Sequence, residues 1–286
     1  MRVDEIFNRA KATRVRPVSF EMFPPKGELS LDRAREVASG FRELAPDFVS
    51  VTFSAGGSGN SAATAQIARM LTSDFGIPSV AHLTCATKTR AQVSDLVASF
   101  RSQGVRNVLA LRGDAADGAP QGDYPYAVDL IPELVDAGFC VGAAAYPEGH
   151  ISCSDDDFDL AYTKRKVDAG ASFLVTQLCF ENERILRFLD RARDAGIEVP
   201  ITFGIMPFMS KAQLTRMVFM CGASLPSPII KLLARYADDA DALRAAGIDY
   251  ACTQLEGLAE AGVDGLHVYT MNRADVATAC LSALRA

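Results

Sequence analysis

The stretch Val18-Ser19-Phe20-Glu21-Met22-Phe23-Pro24-Pro25 sets the pattern for the chain: an apolar, strand-like run with a carboxylate near its end, stopped by two prolines. Burying an unpaired charge costs several kcal/mol, roughly, so a glutamate in such a run must be paired, hydrated or held protonated. Seven later apolar runs also stop at polar or turn-forming positions: Thr52, His82, Arg112-Gly113-Asp114, Tyr146 with His150, Gln177, Met206-Pro207 and Tyr269 with Asn272. That repetition predicts a shared rim where a ligand sits.

The runs cover 17–22, 47–53, 78–84, 107–112, 139–145, 172–178, 200–206 and 264–270. Amphipathic stretches at 30–44, 61–75, 90–103, 127–137, 156–169 and 181–195 separate them, several ending at a glycine (Gly104, Gly138, Gly170, Gly196) suited to a left-handed helix terminus. Strand followed by helix, repeated, means a parallel sheet covered by helices. Eight such units in 286 residues point to a closed (β/α)8 TIM barrel rather than an open doubly wound sheet, which usually has fewer strands. Between 210 and 263 the rhythm loosens into helical stretches at 210–220, 229–236 and 239–261, so extra helices are expected between strands 7 and 8. A closing helix is expected over 273–284. The whole of 1–286 reads as one α/β barrel, with nothing indicating a regulatory domain.

Composition narrows the partners. A net charge of -6 argues against nucleic acid, which needs a basic surface to displace counterions. The seven cysteines are scattered and form no C-x-x-C pair, as expected of reduced thiols in the cytoplasm. No secretory h-region and no apolar run near the ~20 residues of a membrane span are present. A small-molecule ligand is therefore expected, with a homo-oligomer left open.

Several chemistries can be weighed on their residues. Gly57-Ser58-Gly59-Asn60-Ser61-Ala62 matches a dinucleotide fingerprint, but the next strand ends His82-Leu83-Thr84 without the acid that fingerprint requires. His82, His150 and His267 fall on or after different strands without metal-ligand spacing, so no metal is expected; His267 shares strand parity with Tyr269 and reads as barrel interior. Gln177 stands where a Schiff-base aldolase would want lysine, and no G-x-S-x-G elbow exists. Over 155–166, three acids precede Lys164-Arg165-Lys166. This is either helix-dipole complementation or a site where Arg165 and Lys166 meet a pyrophosphate and Asp159 a ribose hydroxyl.

Taken together, Phe20-Glu21-Met22-Phe23-Pro24-Pro25-Lys26, Leu109-Ala110-Leu111-Arg112-Gly113-Asp114, Ala145-Tyr146-Pro147-Glu148, Thr176-Gln177-Leu178, Gly204-Ile205-Met206-Pro207 and His267-Val268-Tyr269-Thr270-Met271-Asn272-Arg273 resemble the methylenetetrahydrofolate reductase family in its bacterial single-domain form. Thr52 with Ala55-Gly56-Gly57-Ser58, His82-Leu83-Thr84-Cys85 and the segment 164–171 extend the resemblance over nearly the whole chain. It implies reduction of 5,10-methylenetetrahydrofolate to 5-methyltetrahydrofolate with NADH or NADPH, usually through bound FAD, in one-carbon metabolism and methionine supply. By that matching Glu21 is the general acid, Asp114 the acid beside flavin and pterin, and Gln177 the residue that orients the pterin. Gln213, Met217 and Arg273 fall with Glu21 and Gln177 on the substrate side. Thr52, His82, Arg112, Gly113, Asp114, Tyr126, Ala127, Tyr146, His150, Asp159, Arg165 and Lys166 fall on the flavin site.

The sequence departs from the family pattern at Ser54, Ala115, Ile151 and Tyr162 around the cofactor, and Met217 replaces a stacking aromatic. A flavin-free enzyme passing hydride directly from NADH to the folate is one alternative. A flavin barrel of the proline-dehydrogenase type and a non-catalytic folate or flavin carrier are the others; neither needs both Glu21 and Asp114.

Overall fold

The computed structural model describes residues 1–24, 31–53, 61–114, 118 and 120–285. All eight apolar runs are strands: β1 (Val18–Met22), β2 (Phe48–Val51), β3 (Ser79–Thr84), β4 (Asn107–Leu111), β5 (Cys140–Ala145), β6 (Phe173–Thr176), β7 (Ile201–Ile205) and β8 (Gly265–Val268). They pair in parallel in chain order, and β8 returns to β1 to close the barrel. The intervening helices are α2 (Leu31–Leu44), α3 (Ser61–Asp74), α4 (Arg90–Ser102), α5 (Ala127–Asp136), α6 (Asp156–Asp168) and α7 (Asn182–Asp194). As expected, β7 and β8 are separated by several helices, α8 (Lys211–Cys221), α9 (Ser227–Arg235) and α10 (Ala240–Glu260), and α11 (Ala274–Ala283) follows β8. The four glycines expected at helix ends all have positive φ.

Alternation along each strand sorts its side chains. On β1, Phe20 turns outward and meets Phe41 of α2 at 5.1 Å between ring centroids, while Ser19 bonds to His267 inside the barrel. Glu21 shares the parity of Ser19 and so belongs to the interior, one layer nearer the strand C-termini. His267 is fully buried, as its parity predicts, with Nδ1 2.8 Å from the Ser19 hydroxyl and Nε2 3.4 Å from that of Ser50. Desolvation, with His82 nearby, pushes its pKa down to about 3 and keeps the ring neutral.

One element has no counterpart in the sequence reading. Residues Val3–Thr13 form α1, whose Val3, Ile6 and Phe7 close the N-terminal end of the barrel against Phe48, Val80, Leu109, Cys140 and Phe173. Buried Asn107 at the start of β4 ties this helix down. Its Oδ1 accepts from the Val3 N–H at 2.8 Å, and its Nδ2 donates to the Ser79 and Met1 carbonyls at 2.9 and 3.3 Å. The opposite end is the open one.

Candidate active site

At the C-terminal ends of the strands, where barrels of this class carry their chemistry, lie two adjoining cavities. The inner one, about 330 Å³, is lined by Glu21, His82, Arg112, Gly113, Asp114, Tyr146, His150, Gln177 and Met217, with Tyr269 and Cys221. The outer one, about 480 Å³, is lined by Tyr126, Ala127, Asp159, Tyr162, Arg165 and Lys166. Arg112, Tyr146 and His150 line both. A larger groove of about 1280 Å³ runs beside α7, α9 and α10; none of the strand-end polar residues named from the sequence lines it.

Glu21 is half-buried and keeps a face toward the inner cavity. Desolvation, with no compensating cation, pushes its carboxyl up to about 8. Its backbone is held from β8, because the β1–β8 ladder ends at Phe20 and Val268. Beyond that point Thr270 Oγ1 donates to the Glu21 carbonyl at 2.9 Å. Asn272 meets Phe23 twice, Oδ1 accepting from its N–H at 3.0 Å and Nδ2 donating to its carbonyl at 2.9 Å. Met271 and Asn272 both adopt left-handed backbone, φ 55° and 56°. That conformation is of order 1–3 kcal/mol uphill for a non-glycine residue, and Asn tolerates it better than Met.

The other side chains are set by similarly local causes. Gln177 follows β6, and its Oε1 accepts from the Leu178 N–H at 2.9 Å, which fixes the plane of the carboxamide. The Tyr269 hydroxyl crosses the barrel mouth to donate to the Thr176 carbonyl at 2.8 Å. It passes over Gly204, where a Cβ would sit 2.6 Å from the ring and from that carbonyl, so only glycine admits the tyrosine. Gly113, at φ 79°, turns the chain after β4 and delivers Asp114 to the exposed rim. His82 is buried, its Nε2 has no hydrogen-bond partner among the described residues, and desolvation lowers its pKa to about 3.

In the outer cavity α6 opens on Asp155, whose carboxylate accepts from the Asp157 and Phe158 N–H groups, so helix capping is part of what this acidic run does. One turn further in, Asp159 is buried and faces Lys166. Burial raises the Asp159 pKa and lowers that of Lys166 to about 8, each offset in part by the other's charge. Lys166 Nζ donates to the Ala144 carbonyl at 2.7 Å and lies 5.4 Å from the Tyr146 ring centre. Tyr162 forms a wall, with the Arg165 guanidinium 4.7 Å over its ring and Tyr126 edge-on at 5.4 Å.

Three residues placed on the site by the resemblance line neither cavity. Thr52 uses its N–H on the Met22 carbonyl, and its own carbonyl accepts from Thr64 Oγ1. Gln213 accepts from the Met209 N–H at 2.7 Å, with Nε2 buried and unpartnered among the described residues. Arg273 is exposed and paired with Asp275. Ile151, exposed, lines the inner cavity, whereas Ser54, Ala115 and the glycine-rich run 57–60 lie outside the described residues. Sequence reasoning missed Cys221 and Met220, which reach the inner cavity because α8 folds back over the mouth; Tyr269, named at the rim but given no role, lines the inner cavity just after β8. Among the described residues no cluster of three or more His, Cys, Asp or Glu could hold a metal ion, and no helix is long and apolar enough to cross a membrane.

A family model described as methylenetetrahydrofolate reductase matches residues 6–285. The chain belongs to the methylenetetrahydrofolate reductase family. Among its relatives, the 5,10-methylenetetrahydrofolate reductase of Salmonella typhimurium is 35% identical over 263 residues, covering 92% of this chain and 88% of that one. The methylenetetrahydrofolate reductase (NADH) 1 of Arabidopsis thaliana is 33% identical over 271 residues, covering 89% of this chain; the match takes in 46% of the plant protein, so this chain spans about half the length of such plant family members. Among solved structures, an uncharacterized Clostridium thermocellum protein that binds two copies of 5-methyl-5,6,7,8-tetrahydrofolic acid superposes with a TM-score of 0.69. It covers 98% of this chain and all of its own at 16% identity, a likeness of fold.

Proposed function

We propose that this chain reduces 5,10-methylenetetrahydrofolate to 5-methyltetrahydrofolate with NAD(P)H, FAD occupying the outer cavity and part of the inner one. The observation that carries the reading is Glu21: a carboxyl held protonated up to about pH 8, in one cavity with Asp114 and Gln177. A neutral carboxyl at physiological pH is what a proton donor to a weakly basic nitrogen requires.

The residues present fit an elongated anionic dinucleotide. Arg112, Arg165 and Lys166 supply positive charge for a diphosphate, and buried Asp159 an acceptor for sugar hydroxyls. Tyr126 and Tyr162 offer ring faces for a purine, and His82, lining the inner cavity, has an Nε2 with no partner among the described residues. Bound there, FAD would supply hydride received from NAD(P)H. The chain's own residues do the rest. Glu21 gives its proton to N10, the bond from N10 to the methylene carbon breaks, and the positive charge moves to the N5 iminium that accepts hydride. Asp114, at the rim, supplies negative charge opposite that cation. Gln177, its carboxamide plane fixed, orients the pterin. Met217 packs beside it, and Gln213 and Arg273 are held for the aminobenzoyl-glutamate portion, Arg273 by exchanging Asp275 for a tail carboxylate. Free thiols at all seven cysteines fit a reducing cytoplasm.

The test is NADH oxidation driven by methylenetetrahydrofolate. Glu21→Gln should lower kcat on the order of 10²–10⁴-fold, and undiminished turnover would sink the proton-donor role. Because the raised carboxyl is protonated below about 8, wild-type kcat should be flat at neutral pH and fall as pH rises through that value. An absorbance spectrum of the purified protein should show flavin bands. A colourless preparation that is active and indifferent to added FAD would replace FAD with direct hydride transfer from NADH.

A further inference from the structure

Beyond the groups that meet substrate, the structure assigns Thr270 and Asn272 as positioning residues: a side-chain strap from the end of β8 that holds the Glu21 peptide over the inner cavity. The inference rests on the proton-donor reading of Glu21, and goes beyond it by naming what keeps that carboxyl in place.

The need for a strap follows from the ladder. Backbone pairing between β1 and β8 stops at Phe20 and Val268, one residue short of Glu21. On its other side, β1 continues along β2 through Glu21 and Met22, and the Thr52 N–H reaches the Met22 carbonyl. Pro24, two residues past Met22, has no N–H to offer. The Phe20–Val268 pairing still engages the Glu21 N–H; beyond it, among the described residues, side chains hold the rest of the Glu21–Phe23 segment on the β8 side: Thr270 Oγ1 on the Glu21 carbonyl at 2.9 Å, and the Asn272 carboxamide on both polar groups of Phe23 at 3.0 and 2.9 Å. The Asn272 carboxamide accepts through its oxygen and donates through its nitrogen at once, so one side chain holds both polar groups of Phe23. The left-handed backbone at Met271 and Asn272 aims that group back across the barrel mouth. Thr270 is fully buried, so its hydroxyl is not a solvated bystander.

Glu21, half-buried, stays protonated near neutrality because the protein beside it displaces much of its water, and an acid that swings further toward the open mouth regains water and its ordinary acidity. The titratable groups facing the same cavity are Tyr269 after β8, Cys221 of α8, His82 of β3, Arg112 and Asp114 after β4, and Tyr146 and His150 after β5. Among the described residues the Asn272 carboxamide bonds to Phe23 and to none of these groups, so loosening the strap alters the position of Glu21 while leaving its charged surroundings in place.

The experiment uses the intact protein. Asn272→Gly removes both bonds to Phe23 while favouring the left-handed backbone, and Thr270→Val removes the bond to the Glu21 carbonyl, with Thr270→Ser as the variant that restores it. The carboxyl of Glu21 is titrated by infrared difference spectroscopy, using the band that Glu21→Gln lacks, and kcat is followed against pH. Asn272→Gly and Thr270→Val should bring Glu21 to ionise at lower pH. The alkaline loss of kcat should move with it, about tenfold per unit at pH above both midpoints, with KM for the folate little changed and Thr270→Ser close to wild type. Folded variants in which Glu21 titrates with the wild type overturn the strap, as does a Thr270→Ser variant no better than Thr270→Val. If no variant, wild type included, oxidises NADH with the folate, the functional reading fails while the infrared titration still decides the strap.

Discussion

The two ends of this barrel are built from the same strands and handle polar groups in opposite ways. At the floor, buried Asn107 satisfies the Val3 N–H and the Met1 and Ser79 carbonyls, and α1 seals the end with Val3, Ile6 and Phe7. At the mouth, Glu21 is desolvated without a cation, His82 Nε2 has no partner among the described residues, and two consecutive non-glycine residues are left-handed. The floor minimises free energy; the mouth keeps groups unsatisfied that a ligand can satisfy. Polarity alone therefore does not locate function in this fold. Unsatisfied polarity does.

Substitutions at the two ends should separate along that line. The largest contrast comes from Glu21→Gln, already expected to abolish most turnover. Burying the ionised acid penalises the fold increasingly as pH rises from 4.5 to about 8. Above that range the glutamine variant should unfold at a higher temperature than wild type; a less stable variant at pH 9 would mean that the mouth is as well satisfied as the floor. At the floor, Asn107→Ala leaves buried backbone groups unpaired, each worth about 1–3 kcal/mol, so a stability loss of about 2–4 kcal/mol is expected in denaturant melts, with kcat unchanged. Loss of activity beyond loss of fold would break the comparison. Lys166→Met sharpens it: removing a charge-assisted contact should weaken FAD retention about tenfold to a hundredfold. The melting temperature should fall as well, because buried Asp159 loses its cation and the Ala144 carbonyl its donor.

How far the sequence foretold all this differs between the same two ends. The mouth was legible because alternation in a strand is strict: once β1 is placed, Glu21 must share the face of Ser19, and the polar ends of β3, β4 and β6 follow. Strand limits came out longer than the ladders, as at 264–270 against Gly265–Val268, because chain extension outlasts backbone pairing where side chains such as Thr270 take over. The floor was not legible. Helix α1 mixes Asp4, Glu5, Arg9 and Lys11 with a narrow apolar stripe, and nothing local says that the stripe belongs under a barrel. Cys221 and Met220 were missed for the same reason, since they reach the site through the docking of α8 rather than through strand parity. Arg273, chosen by resemblance, is tied up by Asp275, a neighbour two residues away that a motif does not weigh.

The neutral imidazole of His267, wedged between Ser19 and Ser50 at the heart of the cylinder, carries a further cost for the molecule in mild acid. In the unfolded chain this ring takes a proton at its ordinary value of 6.5; in the fold it resists until about 3, and His82 behaves alike. The sign is that of a depressed base: the stabilisation is whole above 6.5 and drains away as pH falls toward 3. Melting curves should therefore shift to lower temperature between pH 7.5 and pH 5, and His267→Asn should flatten that dependence; parallel curves would show that the ring is not the source. Acidified surroundings would then weaken this protein through groups at its centre, well before its surface carboxylates are neutralised.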